Sequence, residues 1–165
     1  MLPNFPLKLH GVYTKAQIQV AIGTSTLERK SPSREGVERN KKLKLEAMFV
    51  DIIKNREEGS TTDYDDKALS PYLFQWDTQN RVKPESDEGK AYINQTQTML
   101  LFIREQKNFA EDKSRTMGYV YLGRVTLNKW EYKNLGTRKQ MQIVWNMIEP
   151  IPGSVMLFAR MKEIA

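Results

Sequence analysis

Three acids and a lysine form the one arrangement in this 165-residue sequence that imitates a catalytic centre. Asp51 precedes Asp65-Asp66-Lys67 in the acid…acid-x-Lys order, where two carboxylates hold a hard divalent cation and a lysine stands beside a scissile phosphate. Such a site normally draws on adjoining strands, whereas Asp65 and Lys67 fall in a polar Thr/Asp/Tyr stretch without strand alternation. Cys is absent and His occurs once, which excludes disulfide frameworks, zinc ribbons, Cys nucleophiles and nucleases of the His-Asn-His class. The single histidine, His10, sits next to Gly11 with no acidic neighbour to orient it and reads as a surface or hinge residue. Walker loops, dinucleotide fingerprints and nucleophile elbows are also missing. No metal, cofactor or catalytic residue is expected.

The segment from Tyr64 to Asn80, YDDKALSPYLFQWDTQN, is more informative. Aromatic faces stack on bases, and carboxylates and amides read base edges, so Asp66, Trp76, Gln79 and Asn80 make a composition suited to nucleic acid. The same residues fit a plain structural reading. Phe74 and Trp76 at a period of two form one face of a core strand, and Gln79-Asn80 forms a turn.

Charge is segregated along the chain. Lys and Arg total 26 against 20 Asp and Glu, a net charge of +6. From Arg29 to Lys44 only Glu35 and Glu38 oppose Arg29, Lys30, Arg34, Arg39, Lys41, Lys42 and Lys44; from Arg124 to Lys139 only Glu131 opposes Arg124, Lys129, Lys133, Arg138 and Lys139. Acids gather in 57–66 and 77–88. A one-sided footprint for phosphates requires such segregation, although solvated basic loops produce it equally well.

Elements must hold these groups in place. Thr14-Lys-Ala-Gln17 is a capping box ahead of a short helix that Gly23 ends. Residues 23–42 lack apolar periodicity and read as a long loop. Residues 44–53 carry apolar side chains on both faces, as a central strand does. A Ser70-Pro71 turn precedes the aromatic cluster, Ser86 caps a second helix, and 98–105 is another buried strand. Gly123 interrupts a strand from Tyr119, 139–148 alternates cleanly, and Ser154 caps a terminal helix. These elements predict one α+β domain over 1–165, with a mainly antiparallel, bent sheet or partly closed barrel and two or three short helices. The longest apolar run, 99–103, falls far short of the ~18 residues that span a bilayer, and no signal peptide opens the sequence, so a cytoplasmic, membrane-free protein is expected.

Several motifs in fixed order resemble one family. Tyr64 and Asp66, Ser70-Pro71, Phe74-Gln-Trp76-Asp-Thr-Gln79-Asn80, Gly89 with Tyr92, Leu101-Phe-Ile-Arg104-Glu105, Tyr121-Leu-Gly123, and Trp145 ahead of Pro150-Ile-Pro152 match in spacing. So do Leu9-His-Gly-Val-Tyr13-Thr and Glu35-Gly36-Val37. Together they resemble the C-terminal domain, long of unknown function, of bacterial ATP-dependent restriction proteins that carry phospholipase-D-like nuclease and superfamily-two helicase domains. Three positions depart from the pattern: Gln75 and Asn94 replace histidines, and Thr78 replaces a serine. Gln and Asn can keep a hydrogen bond that His made but not its proton chemistry, so binding survives these changes better than catalysis.

The resemblance implies a target-recognition module of a type IV-like, modification-dependent restriction system, with cleavage and translocation supplied by helicase and nuclease domains in cis or in trans. By analogy it is also similar to SRA/PUA-like domains, which flip a methylated cytosine into an aromatic pocket. On that analogy Trp76, Tyr64 or Tyr92 stacks on the base and Asp66 accepts from the cytosine amino group. Arg34, Lys41, Lys42 and Arg138, with Arg29, Lys30, Arg39 and Lys139, hold phosphates of double-stranded DNA. The rival expectation is a protein-interaction module, its aromatic cluster in the core and its basic loops docked on a helicase or nuclease partner.

Overall fold

The computed structural model describes residues 5–31, 36–53, 65–134 and 136–160. Eight strands form one open sheet, β1 (Val12–Tyr13), β2 (Val37–Asn40), β3 (Leu45–Asp51), β4 (Lys67–Ser70), β5 (Leu73–Asp77), β6 (Thr98–Arg104), β7 (Tyr119–Asn134) and β8 (Lys139–Met147), with helices α1 (Lys15–Ala21), α2 (Asp87–Asn94) and α3 (Gly153–Ala159). The strand order is β2-β3-β6-β7-β8-β5-β4, with β1 added on β7. The sheet does not close, and β2 and β4 are its edges.

All pairings are antiparallel except β3 with β6, which run parallel from Leu45↔Thr98 to Asp51↔Arg104. A parallel pair needs a long crossover. Here that crossover is the chain between them, which places β4 and β5 at the opposite edge of the sheet and returns through α2. The sequence shows no βαβ alternation because the returning segment brings its own hairpin.

Each face of the sheet has its own core. Ile18 and Ile22 of the α1 region cover Ala47, Phe49, Leu100, Phe102 and Tyr121 on one face. On the other, Met48, Val50, Leu101, Ile103, Phe74, Trp76, Ile143 and Trp145 pack with Tyr92 of α2 and Val155 of α3. Strand β3 is apolar on both faces because it feeds both cores. The expected capping box at Thr14 is formed, Gln17 N–H donating to Thr14 Oγ1 at 3.2 Å and Thr14 N–H to Gln17 Oε1 at 2.8 Å. Ser86 caps α2 by accepting from Gly89 N–H at 3.1 Å. Gly89 must be glycine, since a Cβ there would lie 2.0 Å from the Lys83 carbonyl oxygen.

Two sequence expectations are corrected. The stretch 23–42 is not wholly loop, for it contains β2. That short strand lies at an edge and points Glu38 and Arg39 into polar contacts, so no apolar alternation marks it. The terminal helix has Pro152 rather than Ser154 at its N-cap, with no side-chain capping bond.

Candidate nucleic-acid interface

Edge strand β2 forms one wall of a cavity of about 550 Å³. Glu38, Arg39, Asn40 and Lys41 line it from the strand, Gly23, Thr24 and Ser31 from the loop after α1, and Gln79, Val82, Glu88 and Tyr92 from the β5–α2 segment. Its volume lies within the ~300–1,000 Å³ of ordinary small-molecule sites.

Buried charge fixes the wall. Glu38 is 4% exposed and accepts from Gln19 Nε2 of α1 at 2.9 Å and from the Ser31 hydroxyl, which ties the loop to the strand. Asn40 Nδ2 donates to the Ile22 carbonyl at 2.8 Å. Arg39, directly opposite Glu46 on β3, forms an ion pair with it. Glu46 is fully buried, and the Tyr92 phenol bears on its carboxylate together with Arg39. Burial pushes the Glu46 carboxyl above its ordinary range, with Arg39 pulling the other way. Burial raises the Tyr92 phenol too, with the nearby Glu46 carboxylate adding to the effect.

The structure divides the sequence-derived base pocket. Gln79 and Tyr92 reach the cavity. Tyr92 offers no open stacking face, because it is 3% exposed and meets Trp76 and Trp145 edge-on at 5.4 and 6.4 Å. Trp76 is a core residue packed on Tyr92 and Trp145. Asp66, also buried, accepts from the Asp77 backbone N–H at 2.8 Å and so anchors the start of β4 to the end of β5. Asn80 accepts from Lys139 N–H at 3.1 Å, while Arg81 N–H donates to the Lys139 carbonyl at 2.6 Å. Tyr64 lies outside the described residues. Two of the departures from the family pattern serve the scaffold. Gln75 Nε2 donates to Asp65 O at 2.8 Å, and Thr78 Oγ1 accepts from Met141 N–H at 3.0 Å.

Among the phosphate candidates, Arg39 and Lys41 border the cavity. Arg39 is committed to Glu46 rather than to solvent. Lys42, Arg29 and Lys30 are exposed on the adjoining loops. Arg138 and Lys139, at the bend between β7 and β8, lie beside the Gln79–Arg81 loop through the two backbone ties at Lys139. Arg34 lies outside the described residues.

The nuclease arrangement does not assemble. Asp51 accepts two bonds from Arg104, at 2.6 Å from Nε and 3.2 Å from Nη2. Asp65 belongs with β4, at the far edge of the sheet order from β3. No group of three metal-ligating side chains occurs among the described residues, and no described helix is long and apolar enough to cross a membrane.

Sequence reasoning missed Glu46 and the Glu38–Gln19–Ser31 cluster. Glu46 did leave a signal, as an acid set between Leu45 and the apolar run Ala47–Val50 needs a partner for its charge.

A family model described as a domain of unknown function, DUF3427, matches residues 7–157. The chain belongs to this DUF3427 family. No curated protein matches it. Among solved structures, the DUF3427 chain is similar to the SRA domain of SUVH5, solved in complex with hemi-methylated CG DNA, with a TM-score of 0.54 and 11% identity over 89% of this chain and 94% of that one. It is likewise similar to Arabidopsis thaliana SUVH6, solved with SAM, with a TM-score of 0.54 and 13% identity over 96% of this chain but only 29% of that longer one. At these identities the likeness establishes a shared SRA-type fold.

Proposed function

We propose that this DUF3427 domain is a DNA-recognition module that takes one base, of the modified-cytosine type, into the cavity beside β2 and holds the flanking phosphates with its basic loops. The observation that carries the reading is the cavity itself. Acceptors and an amide, Glu38 and Gln79, line it, and Lys41, Lys42, Arg29, Lys30 and Lys139 stand on the segments around it. The SRA-type fold supports the reading, since one such domain was solved on hemi-methylated DNA. In this reading Gln79 addresses the base edge, while Glu38 fixes the β2 wall and Trp76, Asp66 and Asn80 brace the scaffold behind it. The domain performs no chemistry of its own. It serves a modification-dependent restriction system whose helicase and nuclease domains act in cis or in trans.

Fluorescence anisotropy with methylated and plain duplexes over a salt series tests this. Affinity should fall steeply with salt, and Lys41→Gln with Lys42→Gln should each lower the slope of log K against log salt by about 1. Gln79→Ala should narrow the preference for the modified duplex. Absence of binding to either duplex at low salt refutes the reading and favours a protein-interaction module. The exposed Leu69 and Tyr72 on and beside edge strand β4 would then be the first surface to probe.

A further inference from the structure

Past Val125, strand β7 loses its β6 partner and continues with β8 alone to Asn134, so the β7–β8 hairpin reaches beyond the doubly paired part of the sheet. Trp130 and Tyr132 lie opposite Ile143 and Met141, and therefore on the face that holds the Trp76–Tyr92–Trp145 core. Ile143 and Met141 are fully buried, yet Trp130 and Tyr132 remain 39% and 37% exposed. Two neighbouring aromatics on one face, each more than a third open to water, form an unpartnered surface of the kind that marks contact sites.

The hairpin's charge indicates the partner. Among residues 128–142 the hairpin carries Lys129, Lys133, Arg138 and Lys139 against Glu131 alone, and Glu131 is taken up by Lys133 at 3.6 Å on the face opposite the aromatics. Lys139, paired with Asn134, shares the aromatic face. The hairpin is also linked to the cavity wall through the core. Trp130 pairs with Ile143, Ile143 with Trp76, and Trp76 contacts Tyr92 of the cavity wall, while Lys139 is bonded to the loop that carries Gln79.

We propose that the aromatic face of the β7–β8 hairpin is a second DNA-contacting surface, in which Trp130 and Tyr132 lie against sugars or bases flanking the base in the cavity and Lys139 meets a neighbouring phosphate. The inference rests on the DNA-binding reading above. Aromatic contacts of this type tolerate any sequence, so the surface adds affinity without reading the modification.

Intrinsic fluorescence of the full chain tests it, because Trp76 and Trp145 are buried and Trp130 is the one partly exposed tryptophan of the three. Titration with a duplex of about 20 base pairs should quench Trp130 emission, and Trp130→Phe, which keeps the packing, should abolish that quench. A Trp130→Ala/Tyr132→Ala variant with wild-type melting should bind methylated and plain duplexes about tenfold more weakly while keeping their ratio. If the wild type binds DNA without a quench that depends on Trp130, or the double variant binds as tightly as wild type, the hairpin proposal is overturned and the cavity reading stands. A quench produced by raising protein concentration alone would overturn it in favour of self-association. Failure of the wild type to bind any duplex removes both proposals together.

Discussion

Replacing Arg39 by methionine isolates the Arg39–Glu46 ion pair of the cavity wall. The guanidinium side chain is 20% exposed and its partner Glu46 fully buried, so water screens the pair little. At an effective dielectric of about 20, two charges ~4 Å apart attract by about 4 kcal/mol. Removing the arginine leaves the buried carboxylate with the Tyr92 phenol but no cation, and breaking such a pair costs about 3 kcal/mol. For a domain of this size that is a fall in Tm of roughly 6–12 °C. The pH dependence follows from the Glu46 shift. Its folded pKa lies above the ordinary value of 4.5, so above that value the folded state binds more protons than the unfolded one and stability falls as pH rises. Arg39 restrains the shift, so Arg39→Met raises it further. The deficit of the variant should therefore be largest at alkaline pH and narrow on acidification as Glu46 takes up a proton. Circular-dichroism melts of wild type, Arg39→Met and Arg39→Met/Glu46→Met between about pH 5 and pH 8 measure this. The double variant, with no charge left to strand, should recover most of the loss. A deficit independent of pH, or a double variant no more stable than the single, would refute the reasoning.

Three further perturbations have defined outcomes. Gly89→Ala places a Cβ against the Lys83 carbonyl and should cost about 3 kcal/mol in denaturant titration, since backbone rather than a flexible side chain must move. Asp66→Ala leaves the buried Asp77 N–H without its acceptor and should lower stability by ~1–3 kcal/mol; unchanged stability with lost preference for modified DNA would return Asp66 to the base-reading role. Ser86→Ala removes the cap of α2 and should cost about 1 kcal/mol, with faster amide exchange at Gly89 as the local signature.

Much of the fold was legible in single residues. Leu45 to Asp51 announced a strand buried on both faces, Thr14 and Ser86 announced helix starts, and the alternation of Met141, Ile143 and Trp145 announced β8. The parallel pairing of β3 with β6 was not legible, because hydrophobic pattern sets which face is buried but not which strand lies alongside. The candidate site was legible only in part. Gln79 and Tyr92 stood out by type and reach the cavity, but Trp76 and Asp66 stood out equally and became core and brace. Chemistry-bearing side chains in a buried strand look the same in sequence whether they face a cavity or one another. The β2 wall went unseen because its contacts bridge Gln19 to Glu38 and Arg39 to Glu46, relations that no local spacing encodes.

Residues 23–31 and 37–41 line the cavity together with residues 79–92, and strand β3 lies between the two groups in the chain. Neither segment can shape the space alone, so a nascent or truncated chain would have nothing for a ligand to enter. Occupancy therefore senses completion of the fold. A ligand confined to the native state adds RT ln(1 + [L]/Kd), about 2.7 kcal/mol at a hundredfold excess over Kd. A bound target would hold β2 on the sheet, and an unliganded domain would release that edge first, which makes slow amide exchange along Val37–Asn40 a direct gauge of engagement.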